Sequence, residues 1–391
     1  MAEWIKCQIG DLCNTISDTY RGNDRDVVLI NTSDVLEGRV LNHNPVVNKN
    51  LKGQFKKTFK KNDILYSEIR PANKRFAFID FDDTSNYIAS TKLMVLRPNN
   101  KVSPKYLFAL FKSNDVITKL QHLAETRSGT FPQITFSSEL APMSVLLPDK
   151  ETQNKIVNIL SIIENKINLN LAINKNLEQQ VRALFKSWFI SLEPFKNTVP
   201  SDWMLGKLKD ILQLKRKPIK AGNNTYLPYL PIDSIPIKSF ALTGFKSNEE
   251  AKSSLILFDK DDIIIGAMRV YFHRVILAPC AGITRTTCFT LAPYHKEYLS
   301  FALLYCDQDS SIDYAQSTSK GSTMPYAIWE GGLGELEVVI PSPQIAQKFN
   351  ELVLPMLRKI QSSYFENTEL RALRDSLLPQ LMSGKLDVSK I

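Results

Sequence analysis

Histidine and cysteine are scarce in this 391-residue sequence, and the few present do not cluster. The four histidines, His43, His122, His273 and His295, are scattered, none at metal-ligand spacing from another. The five cysteines, Cys7, Cys13, Cys280, Cys288 and Cys306, are an odd number and contain no CxxC pair. This pattern argues against zinc and against a disulfide framework, and reads as reduced, mostly buried thiols in a cytosolic protein. No stretch approaches the roughly 18 apolar residues of a membrane span, so no membrane partner is expected. The first residues lack the charged-then-apolar pattern of a signal peptide.

Motifs for chemistry are missing too. There is no G-x-x-x-x-G-K-[ST] phosphate loop, since Gly206-Lys207 and Gly384-Lys385 lack the remainder. No G-x-G-x-x-G follows a strand-like run, and the Asn- or Asp-Pro-Pro-aromatic tetrapeptide of amino-methyltransferases is absent. Pro148-Asp149 followed by Glu164-Asn165-Lys166 imitates a metal-dependent nuclease site. On one helix those carboxylates would lie about 22 Å apart, too far to share an ion. No catalytic residue, metal or cofactor is therefore expected on this chain.

What is present is apolar content of 43%, enough for a folded chain, and a net charge of +9 with pI about 9.1. A basic surface favours an anionic partner, nucleic acid first and an acidic membrane surface second. The sequence is also duplicated. Pro148 and Pro341 stand 193 residues apart, as do Thr130 and Thr323, Pro132 and Pro325, Leu140 and Leu333, Ile156 and Phe349, and Leu177 and Leu370. Nearer the start the offset is 199: Trp4 matches Trp203, and Lys61-Asn62-Asp63-Ile64-Leu65 with Arg70 matches Lys260-Asp261-Asp262-Ile263-Ile264 with Arg269. The drift places a few residues of length difference in loops.

Within each copy, short β-branched runs read as strands: 27–30, 76–79 and 93–96, then 263–265, 275–277 and 336–340. Residues 104–119 and 298–306 show helical spacing. The expected class is α+β, repeated. The expected layout is a first globular domain over 1–147, a long helix over 148–192, a second globular domain over 193–340, and a second long helix with tail over 341–391.

Each helix carries a seven-residue rhythm over about five heptads, which argues for a coiled coil. In the first, Asp149 is a plausible N-cap and the core positions are Ile156, Leu160, Ile163, Ile167, Leu177, Val181, Leu184 and Trp188, interrupted by Asn170 and Asn174. In the second they are Phe349, Val353, Met356, Ile360, Leu370, Leu377 and Leu381, interrupted by Ser363, Asn367 and Arg374. Ser342 caps this helix and Pro343 takes its first position. A pseudo-twofold arrangement would run the helices antiparallel, placing Asn170 near Asn367 and Asn174 near Ser363. A parallel pair would stack Asn170 on Ser363 instead, and a third reading turns the polar positions toward water or a partner protein. Pro355 predicts a kink or a late start in the second helix.

The best lead to function is basic residues beside aromatics and turns. Arg70, Lys74, Arg75, Lys92 and Arg127 in the first copy, and Arg269, Arg274, Arg285 and Lys320 in the second, are candidate DNA contacts. Arg70 corresponds to Arg269, Arg75 to Arg274 and Arg127 to Lys320. The guanidinium fork suits guanine edges and phosphates, although a surface cation often only solvates the fold. The loop Arg127-Ser128-Gly129-Thr130 matches Lys320-Gly321-Ser322-Thr323. Small residues there, with Gly129, Thr130, Ser322 and Thr323 as candidates, permit close backbone approach to a phosphate or make a buried turn.

Taken together, these features resemble the specificity subunit of type I restriction–modification systems, over essentially the whole chain. The resemblance is carried by the duplication, by the loops around Gly129-Thr130 and Ser322-Thr323, and by Leu147-Pro148 and Ile340-Pro341 leading into the helices. It also rests on Glu151-Thr152-Gln153-Asn154-Lys155-Ile156-Val157 and on the closing Leu377-Leu378-Pro379-Gln380-Leu381-Met382-Ser383-Gly384-Lys385-Leu386. One departure is Gln347, which stands before Lys348 without the Glu-Gln pair. The resemblance implies two target-recognition domains reading the halves of an asymmetric split site on double-stranded DNA, held apart by an antiparallel helical pair. It implies two methyltransferase subunits that bind S-adenosylmethionine and methylate adenine, and two restriction endonuclease subunits able to join them. This chain would be non-catalytic and cytoplasmic. The residues alone leave open a stand-alone coiled-coil DNA-binding regulator or an adaptor protein.

Overall fold

Trp4–Gln8 pairs antiparallel with Ser144–Pro148, and Met204–Lys207 pairs with Glu337–Ile340 in the same way. Each copy of the repeat is thus closed by its own first and last strands. The computed structural model describes residues 4–23, 25–49, 53–126, 132–222 and 227–388. It divides into two compact units, Met1–Asn165 with Arg371–Ile391, and Lys166–Leu370. The boundary falls inside both long helices, Lys150–Phe185 and Pro343–Met382.

In the first unit a four-stranded antiparallel sheet has the order Cys13–Ile16, Leu93–Pro98, Ile64–Ser67, Phe76–Phe78. The second unit repeats it with Leu212–Leu214, Cys288–Pro293, Ile263–Gly266, Val275–Leu277. The third strand in each is buried at every residue, which explains its unbroken apolar run. The helices Pro104–Lys112 and Asn114–Thr126 complete the first unit's core, as Leu299–Cys306 and Asp309–Ser317 do in the second.

The other sheet is where the copies diverge. The first unit orders Val46–Val47, Asp26–Ile30, Tyr87–Ser90 and Phe55–Lys57, with a parallel pairing between Asp26–Ile30 and Tyr87–Ser90. Among the described residues the second has Lys217–Ile219, Leu255–Phe258 and Gly282–Arg285, all antiparallel.

The matched Asn62-Asp63 and Asp261-Asp262 pairs have a shared physical cause. Asn62 and Asp261 both adopt left-handed backbone at φ 71°. The buried aspartate that follows closes the turn, accepting from Lys60 N at 2.8 Å in one unit and from Asp259 N at 2.8 Å in the other. Each also takes a cation: Arg97 grips Asp63 with two 2.8 Å bonds, and Lys215 reaches Asp262 at 2.6 Å. Burial still pushes the Asp262 carboxyl above its ordinary range, against the pull of Lys215.

The long helices pair antiparallel within each unit. In the first, Ile156 and Leu160 pack in one cluster with Leu378, Leu381 and Met382, with Leu377 half-buried beside it. In the second, Val181 and Phe185 share a cluster with Phe349, Val353, Leu357 and Ile360. Ile163 and Ile167 are buried in their respective units, and Leu370 is half-buried. Asp149 caps the first helix as expected, accepting from Thr152 N at 2.9 Å and Thr152 Oγ1 at 3.0 Å. Glu164, the other half of the apparent nuclease motif, is engaged by Lys112 and lies 4.0 Å from Arg374.

Three expectations are corrected. The second helix does not start late at Pro355 but runs from Pro343 to Met382; the donor missing there falls opposite exposed Glu351, where water can serve the carbonyl. The seam is also wider than a seven-residue template gives: Leu357, Glu178 and Phe185 are buried, while the expected Met356, Leu177 and Leu184 beside them are half-buried and pack against the same cluster. A straight helix drifts about 20° per heptad against a seven-residue repeat, so its buried face rotates toward the unit's own core. Finally, Lys150–Phe195 is, by length and composition alone, long and apolar enough to cross a membrane.

Candidate nucleic-acid interface

The strand Ile64–Ser67 leads into a 3-10 turn, Pro71–Asn73, flanked by Arg70 at φ 46° and Lys74 at φ 52°. Its counterpart Val270–Phe272 is flanked by Arg269 at φ 50° and His273 at φ 53°. Four non-glycine residues in left-handed backbone, at repeat-related positions, mark a shape that the surroundings enforce twice.

The enforcing contacts are the same in both units. Arg70 N donates to Pro132 O at 3.0 Å and Arg269 N to Pro325 O at 2.7 Å. Isolated bridges join Ile69 to Gln133 and Met268 to Tyr326. From the other side Glu37 N donates to Lys74 O and Lys238 N to His273 O, each at 2.9 Å. The turn is therefore clamped between Pro132 and Glu37 in one unit and between Pro325 and Lys238 in the other.

Arg75 and Arg274 complete the clamp. Arg75 donates to Ser33 O at 3.1 Å and Val35 O at 3.4 Å. Arg274 donates to Asp233 O at 3.3 Å and to Ile235 O. Both guanidiniums hold a neighbouring loop by its carbonyls, a structural task the sequence did not disclose. Lys74 lies 3.6 Å from Glu37, and Lys92 4.0 Å from Glu68. Arg70, Arg269, Arg285 and Lys320 are exposed.

The loop carrying Lys320, Ser322 and Thr323 is exposed rather than a buried turn. It is tied off by reciprocal 2.9 Å bonds between Lys320 and Tyr326 and by Gly321 at φ 88°. Its counterpart residues Arg127, Gly129 and Thr130 lie outside the described residues.

Three groups at this face were not singled out from the sequence. Tyr271 and Phe272 are exposed on the turn itself. His273 is buried, its Nε2 3.1 Å from Asp307 Oδ1 and its Nδ1 3.2 Å from Asp309 Oδ1, the latter without hydrogen-bond alignment. Asp307 in turn receives Arg182 of the long helix at 2.7 Å, and Glu178 of that helix accepts from the amides of Phe240 and Ala241 at 2.9 and 3.0 Å. Hydrogen bonding from Lys238 holds the Asp309 carboxyl below its usual range. The signal for this network was a helix carboxylate and arginine four residues apart, a pattern too common to read alone.

Among the described residues no group of three or more His, Cys, Asp or Glu side chains is placed to hold a metal ion. Burial pushes the Cys13 thiol up to about 12 and the Cys288 thiol up to about 11, which makes them poor nucleophiles.

Residues 1–179 match the family model described as the type I restriction modification DNA specificity domain. The chain is 32% identical to the Type I restriction enzyme HindI specificity subunit of Haemophilus influenzae, over 99% of this chain and 100% of that protein. It is 26% identical to the Type I restriction enzyme MjaIX specificity subunit of Methanocaldococcus jannaschii, over 75% of this chain and 72% of that one. The crystal structure of the type I restriction-modification system S subunit from M. genitalium shares the fold, with a TM-score of 0.60 at 18% identity over 97% of this chain and 96% of that one. With full-length identity at this level, a repeated α+β unit and paired long helices, the chain belongs to the specificity subunits of type I restriction enzymes.

Proposed function

We propose that each unit reads one half of an asymmetric, split site on double-stranded DNA, and that the paired helices set the distance between the halves. The observation that carries this reading is the repeated left-handed turn, with Arg70 exposed on one copy and Arg269 on the other, each clamped to its unit's Pro-containing loop. A turn whose backbone is held at an arginine suits base edges and phosphates, because the start of the side chain is fixed before its planar fork meets the target.

Membership of the family entails association with DNA and with the other restriction–modification subunits. We infer that two methyltransferase subunits attach, one for each copy of the repeat, and that two restriction subunits can join them. S-adenosylmethionine belongs on the methyltransferase subunits, which methylate adenine; this chain supplies the address. A stand-alone DNA-binding regulator is not favoured, since the relatives matched along their length are named specificity subunits.

The test is to produce this chain together with its methyltransferase subunit in a host lacking adenine methylation and to map modified adenines by long-read sequencing. Two short defined sequences separated by a fixed run of unspecified bases are expected. A continuous or palindromic motif, or modification independent of this chain, would contradict the reading.

A further inference from the structure

We propose that Tyr271 and Phe272 make direct apolar contact with base edges in the half-site read by the second unit, a contact the first unit does not make. This rests on the split-site reading and adds to it which side chains carry sequence information on one side.

The two rings occupy the crest of the clamped turn. Tyr271 is 44% exposed and Phe272 38%, with ring centroids 5.0 Å apart. Arg274, fixed to the carbonyls of Asp233 and Ile235, lies over the Phe272 ring at 5.7 Å. Arg269 and His273, at either end, are held in left-handed backbone by bonds to Pro325 and from Lys238. The loop clamped against this turn adds two more exposed apolar groups, Met324 at 51% and Tyr326 at 46%. Four large apolar side chains exposed on two segments bonded to each other are the kind of grouping that marks an interaction site.

Charge identifies the occupant. Arg269 and Lys320 are exposed within the same clamped pair of segments, on a chain of net charge +9. Apolar rings framed by cations fit a nucleic-acid duplex, whose phosphates meet the cations while base edges and thymine methyls meet the rings. The first unit offers a different surface at the same place. Its turn reads Pro71-Ala72-Asn73, with Pro71 buried and the Ala72 amide bonded to Gln121 Oε1 at 3.0 Å. Two copies of one backbone device with unlike crests are suited to a target whose halves differ.

An aromatic contact to a base releases no phosphate counterion, which gives it a signature that a cation lacks. The experiment uses the full chain assembled with its methyltransferase subunits, carrying Tyr271→Ala with Phe272→Ala, or Tyr271→Leu with Phe272→Leu. Affinity is measured for the mapped site and for sites with either half randomised, over a series of salt concentrations. The alanine pair is expected to lose on the order of 10-fold or more in affinity for the intact site. Randomising one half, and only that half, should cost the variant less than it costs the wild type. The slope of log affinity against log salt should stay unchanged, and the leucine pair should fall between wild type and alanine.

A variant that keeps full discrimination of both halves would overturn the assignment alone. So would a reduced salt slope, or variants that fail to assemble with the methyltransferase subunits, which would make this face a protein interface. A wild-type complex that discriminates neither half would overturn the split-site reading, and this assignment with it.

Discussion

Asn170 Nδ2 donates to Asn367 Oδ1 at 2.9 Å, linking the centres of the two long helices through buried carboxamides. The same nitrogen reaches Glu366 Oε2 at 2.9 Å, and Lys166 approaches Glu366 at 3.0 Å. This is the contact expected of antiparallel pairing; a parallel pair would have set Asn170 against Ser363. The second expected layer is different. Ser363 donates to the Lys359 carbonyl of its own helix at 2.9 Å, and Asn174 Oδ1 has no hydrogen-bond partner among the described residues.

Breaking the Asn170–Asn367 layer from one side should be worse than removing it. Asn170→Leu leaves a buried amide unpaired, and the expected cost is about 1–3 kcal/mol. Asn170→Leu with Asn367→Leu should recover most of that loss and could exceed wild type, because an apolar layer has no orphan to bury. Denaturant melts of the four proteins form a double-mutant cycle. Additive losses would show that the two side chains do not interact.

The Asp63–Arg97 pair supports the first unit in a comparable way. Asp63 is 1% exposed, so Arg97→Ala strands a buried carboxylate, at an expected cost of about 3 kcal/mol. Asp63→Asn with Arg97→Leu should be milder than Arg97→Ala. Thermal midpoints of the two variants and the wild type decide the order.

Much of this architecture was legible. The offset of 199 falling to 193 marked the repeat, the Asp149 cap and the four-three rhythm marked the helices, and Ile263-Ile264-Ile265 marked a strand. The left-handed turns were not legible, because Arg70, Lys74, Arg269 and His273 carry none of the glycine that normally announces positive φ. Their conformation is imposed by bonds from segments tens of residues away, such as Pro132 and Pro325. The work of Arg75 and Arg274 was hidden for the same reason: carbonyl partners leave no trace in side-chain spacing. Leu357 was missed beside Met356 because a seven-residue template cannot follow the face of a 3.6-residue helix that also meets a globular core.

Arg269 and Arg274 should separate cleanly. Arg269→Ala is expected to weaken DNA binding and reduce the salt slope by about one, with little change in thermal midpoint. Arg274→Ala should lower the midpoint, since charge-assisted bonds to carbonyls contribute about 1.5–3 kcal/mol, while the salt slope holds. Salt titrations beside melting curves provide the comparison, and an unchanged midpoint for Arg274→Ala would contradict the clamp.

Thiol labelling probes the two cores. Burial raises the pKa of all five thiols, but Cys13, Cys288 and Cys306 are buried outright whereas Cys7 and Cys280 are half-exposed. At pH 8 an alkylating reagent should modify Cys7 and Cys280 first. The other three should react only on unfolding, as peptide mass mapping over time would record. Early modification of Cys13 or Cys306 would mean an open core.

The central claim is that the antiparallel helical pair sets the distance between two half-sites, and its most direct test changes that pair alone. One heptad is removed from each long helix, centred on the Asn170–Asn367 layer so that both partners leave together. Seven residues correspond to about 10 Å, or about three base pairs at 3.4 Å each. Mapping modified adenines made by this variant with its methyltransferase subunit should return both half-sites unchanged with a spacer shorter by about three base pairs. The original spacer, retained alongside both half-sites, would contradict the account.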